Sequence, residues 1–248
     1  MNRQRSWIVP DWPAPSAVHA AVTTRIGGVS LEPYATFNLA AHVGDNPSSV
    51  SANRARLRDT LQLPSEPVWL RQVHGVKVID AGQAGVDPEA DGAYTMHSGI
   101  VCTVLTADCL PVLLCDRSGT RVAALHAGWR GLVNGVIEAG VKALGLDGHE
   151  LMAWLGPAIG PTAFEVGAEV RQAFTSHDPQ AETAFLPLTG GKYLANIYQL
   201  ARQRLTTIGI HQIFGGDFCT VRDTGRFYSF RRDGATGRMA SLIWLSSR

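Results

Sequence analysis

The chain has 248 residues, with 22 basic and 21 acidic side chains and a formal charge of +1, so no long-range field draws it to nucleic acid or to an anionic membrane. Hydrophobic residues make up 45% and charged residues 17%, a balance that supports a sizeable core and excludes wholesale disorder. No stretch reaches the roughly 18 consecutive apolar residues of a membrane span; the most apolar run, residues 100–115, is interrupted by Asp108.

Residues 1–16 carry Arg3 and Arg5 but meet Pro10, Pro13 and Pro15 before an apolar run develops, which is not the pattern of a secretory signal. With Cys102, Cys109, Cys115 and Cys219 as its four cysteines, the chain is expected to be a soluble cytoplasmic protein with reduced thiols. Residues 18–24 read as a strand entering the Arg25-Ile26-Gly27-Gly28 turn. Asn46 is an N-cap and Pro47 a first helical residue, predicting a helix to about Leu61. Residues 68–73 and 76–81 read as strands on either side of a bend at His74-Gly75. The next region predicts a strand over 100–105, a polar break over 106–109, a strand over 111–115, a turn at Asp116-Arg117-Ser118-Gly119 and a strand over 121–125. After Trp129 a helix places Leu132, Val133, Val136, Ile137, Val141 and Leu144 on one face, and a second amphipathic helix spans 196–208. Residues 227–230 and 239–245 around Asp233-Gly234 predict a closing hairpin. No repeat or linker divides the chain, so 1–248 reads as a single domain. Lacking a βαβ rhythm, it favours an α+β class with mixed or antiparallel sheets over a doubly wound parallel sheet.

Gly-x-Gly-x-x-Gly and P-loop patterns are absent, as are Cys-x-x-Cys, His-Glu-x-x-His, Gly-x-Ser-x-Gly and the Pro-Cys-x-x-Cys of zinc nucleobase deaminases. If the turn at 116–119 closes a two-residue hairpin, positions whose numbers sum to 235 face each other, and Cys109 lies opposite His126. A one-residue slip would send the two side chains to opposite faces. Cross-strand neighbours, with Cβ atoms about 4.5–5.5 Å apart, can share a metal ion or let the imidazole deprotonate the thiol. His74, at a bent strand end, supplies a third corner. One thiolate and two imidazoles suit zinc and leave a position for water or substrate. The plain alternative makes Cys109 a small buried hydrophobe and His126 a core histidine.

Asp108, charged within an apolar run, reads as a ligand-orienting or acid–base carboxylate, or as a turn cap. Residues 126–131 read as a strand-to-helix junction where Arg130 and free N–H groups offer an anion pocket, the alternative being a solvated first-turn arginine. Thr23-Thr24-Arg25 before Gly27-Gly28 is a second anion candidate. His19, His42, His97, His149, His177 and His211 read as structural or solvated, Cys102 and Cys115 as core, and Cys219 as ambiguous.

Thr24-Arg25-Ile26-Gly27-Gly28-Val29-Ser30, Gln72-Val73-His74-Gly75, Ala90-Asp91-Gly92, Thr106-Ala107-Asp108-Cys109-Leu110-Pro111, His126-Ala127-Gly128-Trp129-Arg130-Gly131 and Ser229-Phe230-Arg231-Arg232-Asp233 through Arg238 follow one another across almost the whole chain. Together they resemble the bacterial laccase-domain family, called polyphenol oxidase and now regarded as a purine nucleoside phosphorylase. The resemblance implies an α/β/β/α layered fold and a zinc site at the residues matching His74, Cys109 and His126. It also implies phosphorolysis of adenosine, inosine and guanosine, cleavage of methylthioadenosine and deamination of adenosine, with purine nucleoside and phosphate as partners. On that reading Arg130, with Arg25 or Arg238, holds phosphate, and Asp108 serves proton transfer or ligand orientation. The older copper-oxidase reading is physically weak, because the eight histidines include no His-x-His and no Cys-His pair. A single copper at the same three residues, a metal-free hydrolase with Cys109 as nucleophile and His126 as base, and a non-enzymatic zinc-stabilised module are the alternatives.

Overall fold

Strands apolar on both faces belong inside a layered structure, and the two strands that flank residues 116–121 set the centre of this one. The computed structural model describes residues 7–246, and Arg3 and Arg5 lie outside the described residues. Its strands are β1 (Trp7–Ile8), β2 (Val18–Thr23), β3 (Val78–Asp80), β4 (Gly92–Thr95), β5 (Val101–Thr106), β6 (Leu110–Asp116), β7 (Val122–Ala127), β8 (Leu151–Leu155), β9 (Glu165–Val166), β10 (Phe185–Pro187), β11 (Tyr193–Ala195), β12 (Gln212–Gly215) and β13 (Met239–Leu245). The α-helices are α1 (Pro47–Leu61), α2 (Trp129–Asn134), α3 (Val136–Leu144), α4 (Ala168–His177), α5 (Ile197–Thr207) and α6 (Phe230–Asp233).

A mixed six-stranded sheet runs in the order β12-β8-β6-β7-β4-β3, and an antiparallel four-stranded sheet in the order β1-β2-β13-β5; β10, β11 and β9 form a small third sheet. The pleat sends alternate residues to opposite faces. Leu113, Cys115, Val122 and Ala124 therefore meet Cys102, Val104, Ile243 and Leu245 between the two large sheets. On the other face of the six-stranded sheet, Leu114, Ala123 and Leu125 pack under Ile137 and Leu144 of α3 and Leu200 and Leu205 of α5. Val101, Leu105, Ala240 and Leu242 on the outer face of the four-stranded sheet are covered by Phe37, Leu39 and Leu57, the last from α1. The result is the expected α+β fold in α/β/β/α layers. Among the described residues no helix is long and apolar enough to cross a membrane.

Four local expectations are corrected. The β6–β7 pairs sum to 237, with Pro111 opposite His126 and Cys115 opposite Val122. Asp116 widens the loop: its carboxylate accepts the backbone N–H groups of Thr120 and Arg121 and the Thr120 hydroxyl at 2.7–2.8 Å. A two-residue slip preserves parity, so Cys109 and His126 stay on the same face. Residues 68–73 make only isolated bridges, because the N–H of Val73 goes to the Asp91 carboxylate, not to a ladder. The helix after Trp129 breaks at Gly135, whose φ of +100° ends one segment and starts the next. Last, there is no closing hairpin. Asp233-Gly234 ends the short α6, capped by Ser229, while β13 lies between β2 and β5 as its double-faced apolar pattern requires.

Asn53 of α1, fully buried, ties this architecture to the loop before it. Its amide nitrogen reaches Ser30 Oγ, Thr36 O and Asn38 O at 2.9–3.2 Å, and its oxygen accepts the Val29 N–H at 2.9 Å. Asn38 in turn accepts the backbone N–H of Arg238 at 3.0 Å. Replacing Asn53 by Ala strands these buried partners and should cost about 3 kcal/mol, read in thermal unfolding as a midpoint lower by roughly 6–12 °C.

Candidate metal centre

Strand parity brings the chemistry to one end of the space between the two large sheets. His126 keeps the parity of Val122 and Ala124, and Asp91, one residue before β4, keeps that of Ala93. Asp91 and His126 are direct neighbours: the His126 N–H donates to the Asp91 carbonyl at 2.7 Å, and His126 Nδ1 lies 2.8 Å from Asp91 Oδ1. The same carboxylate accepts N–H bonds from Val73, His74 and Gly75 at 3.2, 2.9 and 2.7 Å. Those bonds fix a turn in which His74 holds a φ of +61°, and so set the His74 ring against the end of β7.

With Nδ1 committed to Asp91, His126 turns Nε2 toward the site, the arrangement in which a carboxylate orients a metal-binding imidazole. His74 Nε2 lies 3.8 Å from Cys109 Sγ, and the two imidazole rings meet edge to face at 4.8 Å. The ligating atoms of His74, Cys109 and His126 all fall within 4.8 Å of one another, so this group could hold a metal ion. A tetrahedral zinc with ordinary bond lengths needs donor separations of about 3.3–3.6 Å, slightly shorter than the 3.8 Å between His74 Nε2 and Cys109 Sγ. Gly128 keeps the space open: a Cβ there would sit 3.0 Å from Cys109 Sγ, 3.0 Å from His74 Cδ2 and 3.7 Å from His126 Nε2.

Burial alone would push the Cys109 thiol up, but His126 and His74 overcome it and hold the thiol well below its ordinary range. Burial likewise favours neutral His126, yet the Cys109 charge and the Asp91 hydrogen bond raise it above an ordinary histidine. Asp91, despite its burial, is held below the usual carboxylate range by His126 and the N–H groups of the turn. The shifts of Cys109 and His126 both favour the deprotonated sulfur, the form in which a cysteine binds a cation.

Two cavities meet at His74, Ala107, Cys109 and Phe230. The first, about 260 Å³, has walls of Trp129, Ile159, Phe164 and Ile197, with Asp108, Arg130 and Arg231 also lining it. The second, about 230 Å³, is lined beyond the shared residues by His42, Gln72, Leu105, Thr106, His126 and Arg238.

The residues expected from sequence are distributed as follows. Arg130 is exposed, its guanidinium 4.4 Å over the Trp129 ring at the first cavity. Arg238 borders the second. Arg25 joins neither: it donates to Ala35 O and Thr224 O and lies 5.0 Å over the Tyr228 ring. The Gly27 and Gly28 N–H groups beside it are taken by Thr36 Oγ1. Asp108, at a φ of +90°, accepts the Thr220 hydroxyl at 2.5 Å and the Arg231 N–H at 2.6 Å. It pins the start of α6 to the first cavity, while the ligand-orienting contact expected of it is made by Asp91. Sequence reasoning assigned Asp91 no role, although it is the one charge in an otherwise uncharged run from Ala90 to Thr95. His42, read as structural or solvated, borders the second cavity with Gln72 and Thr106, which had no individual role assigned.

The family model described as multi-copper polyphenol oxidoreductase laccase matches residues 19–246. The chain belongs to this family. A purine nucleoside phosphorylase of Pseudomonas aeruginosa is 56% identical over 241 residues, covering 97% of this chain and 98% of that one. Purine nucleoside phosphorylase YfiH of Escherichia coli is 57% identical over 239 residues, covering 96% and 98%. Among solved structures, a Neisseria meningitidis protein superposes with a TM-score of 0.95 at 48% identity, covering 98% of this chain and all of that chain. YlmD from Geobacillus stearothermophilus gives 0.92 at 29% identity, with 100% and 98% covered. The names carried by such close laccase-family relatives support an enzymatic role. The description "multi-copper" asks for several clustered imidazoles. Among the described residues, the only other group of suitable ligands is Asp147, His149 and Glu150, all exposed.

Two substitutions test the geometry. Asp91→Asn, which keeps an acceptor for His126 but turns an amide N–H₂ toward the 73–75 turn, should weaken metal affinity about 10–100-fold in competition with a chromophoric chelator. Gly128→Ala, at an ordinary φ of −60°, should lower bound metal per chain while leaving the thermal unfolding of the chelated protein within about 2 °C, because its Cβ enters only the space among the three ligands.

Proposed function

We propose that the chain is a cytoplasmic, zinc-dependent purine nucleoside phosphorylase acting on adenosine, inosine, guanosine and methylthioadenosine, and that it also deaminates adenosine at the same centre. The observation that carries this reading is the meeting of two cavities at His74 and Cys109, one walled by Trp129 and Phe164 and the other bordered by Arg238 and His42. A reaction in which phosphate displaces a purine from ribose has two substrates to hold side by side, and two adjoining cavities offer the room. The names of the relatives agree with it.

In phosphorolysis the C1′–N9 bond breaks with its electron pair passing to the purine, which takes up a proton, while a phosphate oxygen forms the new bond to C1′. The transition state resembles an oxocarbenium ion, so the chain must hold phosphate against C1′ and stabilise charge on the departing base. Arg130 and Arg238 supply fixed positive charge on either side of the centre. Trp129, Phe164 and Phe230 offer ring faces for the purine. Asp108, through the Arg231 N–H, keeps Phe230 at the junction of the cavities. His74, Cys109 and His126 would hold zinc, whose Lewis acidity would act on an oxygen of phosphate or, in deamination, of the water that replaces the C6 amino group as ammonia. Copper also suits a thiolate with imidazoles, so metal content is measured in the same preparation as activity.

Chromatography of adenosine incubated with zinc-loaded protein should show adenine and ribose 1-phosphate only when phosphate is present, with inosine as the phosphate-independent product. Cys109→Ala should abolish both reactions and retain a cooperative unfolding transition. Phosphorolysis that persists in Cys109→Ala, or in fully chelated protein, contradicts the shared centre. Iodoacetamide separates this reading from a metal-free hydrolase: zinc-loaded enzyme should keep Cys109 unmodified until a chelator is added, whereas rapid alkylation of the active protein as purified would favour a nucleophilic thiol.

A further inference from the structure

A phosphorylase must bind its two substrates on opposite sides of the bond that changes hands, and the walls of the two cavities differ in ways that sort them. The first cavity has Asp108 among its lining residues, with the carboxylate taken up by the Thr220 hydroxyl and the Arg231 N–H. Its cationic groups, Arg130 and Arg231, are both exposed at its rim. The second cavity is lined by no carboxylate.

That second cavity also holds two groups with unused hydrogen-bonding capacity. Arg238 is partly buried and anchored from behind, its Nη1 donating to Thr236 O at 2.8 Å and Gly237 O at 3.0 Å. Among the described residues it has no carboxylate partner. Cys109 and Asp108 are the negative groups that act on it from a distance, and with neither in direct contact its remaining N–H donors are free to take an anion. Thr106, the last residue of β5, is 2% exposed, and its hydroxyl has no hydrogen-bond partner among the described residues. Leaving a buried hydroxyl unpaired costs free energy, which a bound oxyanion would recover. Gln72, on the same wall, is not available, since both ends of its amide are engaged by the Leu105 backbone at 2.7–2.8 Å. His42 borders the cavity and is exposed.

We propose that Arg238 and the Thr106 hydroxyl, with His42 at the edge, form the subsite for the tetrahedral oxyanion, inorganic phosphate, and that the Trp129–Phe164–Phe230 cavity takes the nucleoside. This rests on the phosphorylase reading and divides the two arginines: Arg238 serves phosphate and Arg130 the nucleoside rim. Ser229 and Asn38 support the assignment from outside the cavity, the first by capping α6, which carries Phe230, the second by fixing the Arg238 backbone.

The test is calorimetric titration of inorganic phosphate into the zinc-loaded protein, with phosphate and nucleoside KM measured in parallel. Thr106→Val keeps the shape and removes only an unpartnered hydroxyl, so its unfolding midpoint should not fall. Its phosphate Kd and phosphate KM should rise roughly 10-fold or more, as for a lost hydrogen bond to a charged group, with nucleoside KM within about twofold. Thr106→Ser should restore phosphate binding, and Arg238→Gln should weaken it further. A phosphate Kd unchanged in both Thr106→Val and Arg238→Gln, or one that responds to Arg130→Gln instead, overturns the subsite. Binding lost in Cys109→Ala but untouched in Thr106→Val and Arg238→Gln would put the anion on the metal alone and overturns it too. Phosphate-dependent cleavage that persists with an insensitive Kd defeats this inference alone. Conversely, binding that depends on Thr106 and Arg238 without any nucleoside cleavage upholds the subsite and defeats the phosphorylase reading.

Discussion

Everything at the centre depends on one buried carboxylate. Asp91 is fully enclosed and would be costly to ionise there without compensation. It is compensated by the His126 imidazole and by three consecutive N–H groups of the 73–75 turn. Those bonds act in two directions. They fix which ring nitrogen of His126 faces the site, and they hold His74 in a left-handed conformation that an isolated chain would rarely choose. The result places a loop residue and a strand residue beside a third from the β5–β6 connection, with Cys109 between the two imidazoles.

The fold makes that possible because β6 and β7 are apolar on both faces and cannot be edge strands. Once they are central, the ends of β4, β5, β6 and β7 converge where the two sheets face each other. The same convergence divides the surroundings into two cavities. Asp108 fixes the aromatic one by tying α6 to Thr220 and the β6 approach, and the Asn53–Asn38 chain fixes the cationic one by holding the Arg238 backbone. Two polar networks in different layers thus position the two halves of a single site.

Much of this was legible in the sequence where the signals were local. Asn46 and Pro47 start α1 as their capping chemistry dictates, with Asn46 accepting from Ser48 and Ser49, and Asn196 caps α5 by the same means. The pairing of Cys109 with His126 on one face was also legible, since parity survives a two-residue error in register. The register itself was not, because it turns on how the Asp116 side chain captures Thr120 and Arg121. Nor was the insertion of β13 between β2 and β5, which links residues more than 200 positions apart. Asp91 was hidden for a related reason: its partners are a turn and a strand set by the sheet order, and no spacing rule connects residues 73–75, 91 and 126. The interruption at Gly135, by contrast, was visible as a glycine in the helical pattern and lost to the strength of the apolar period around it.

X-ray absorption at the metal edge of the protein as purified addresses the three-ligand centre most directly. The account predicts zinc as the dominant metal, with one sulfur at about 2.3 Å and two imidazole nitrogens at about 2.0–2.1 Å, and loss of the sulfur shell in Cys109→Ala. A metal shell without sulfur in the unaltered protein, or a copper edge with zinc absent, would contradict it.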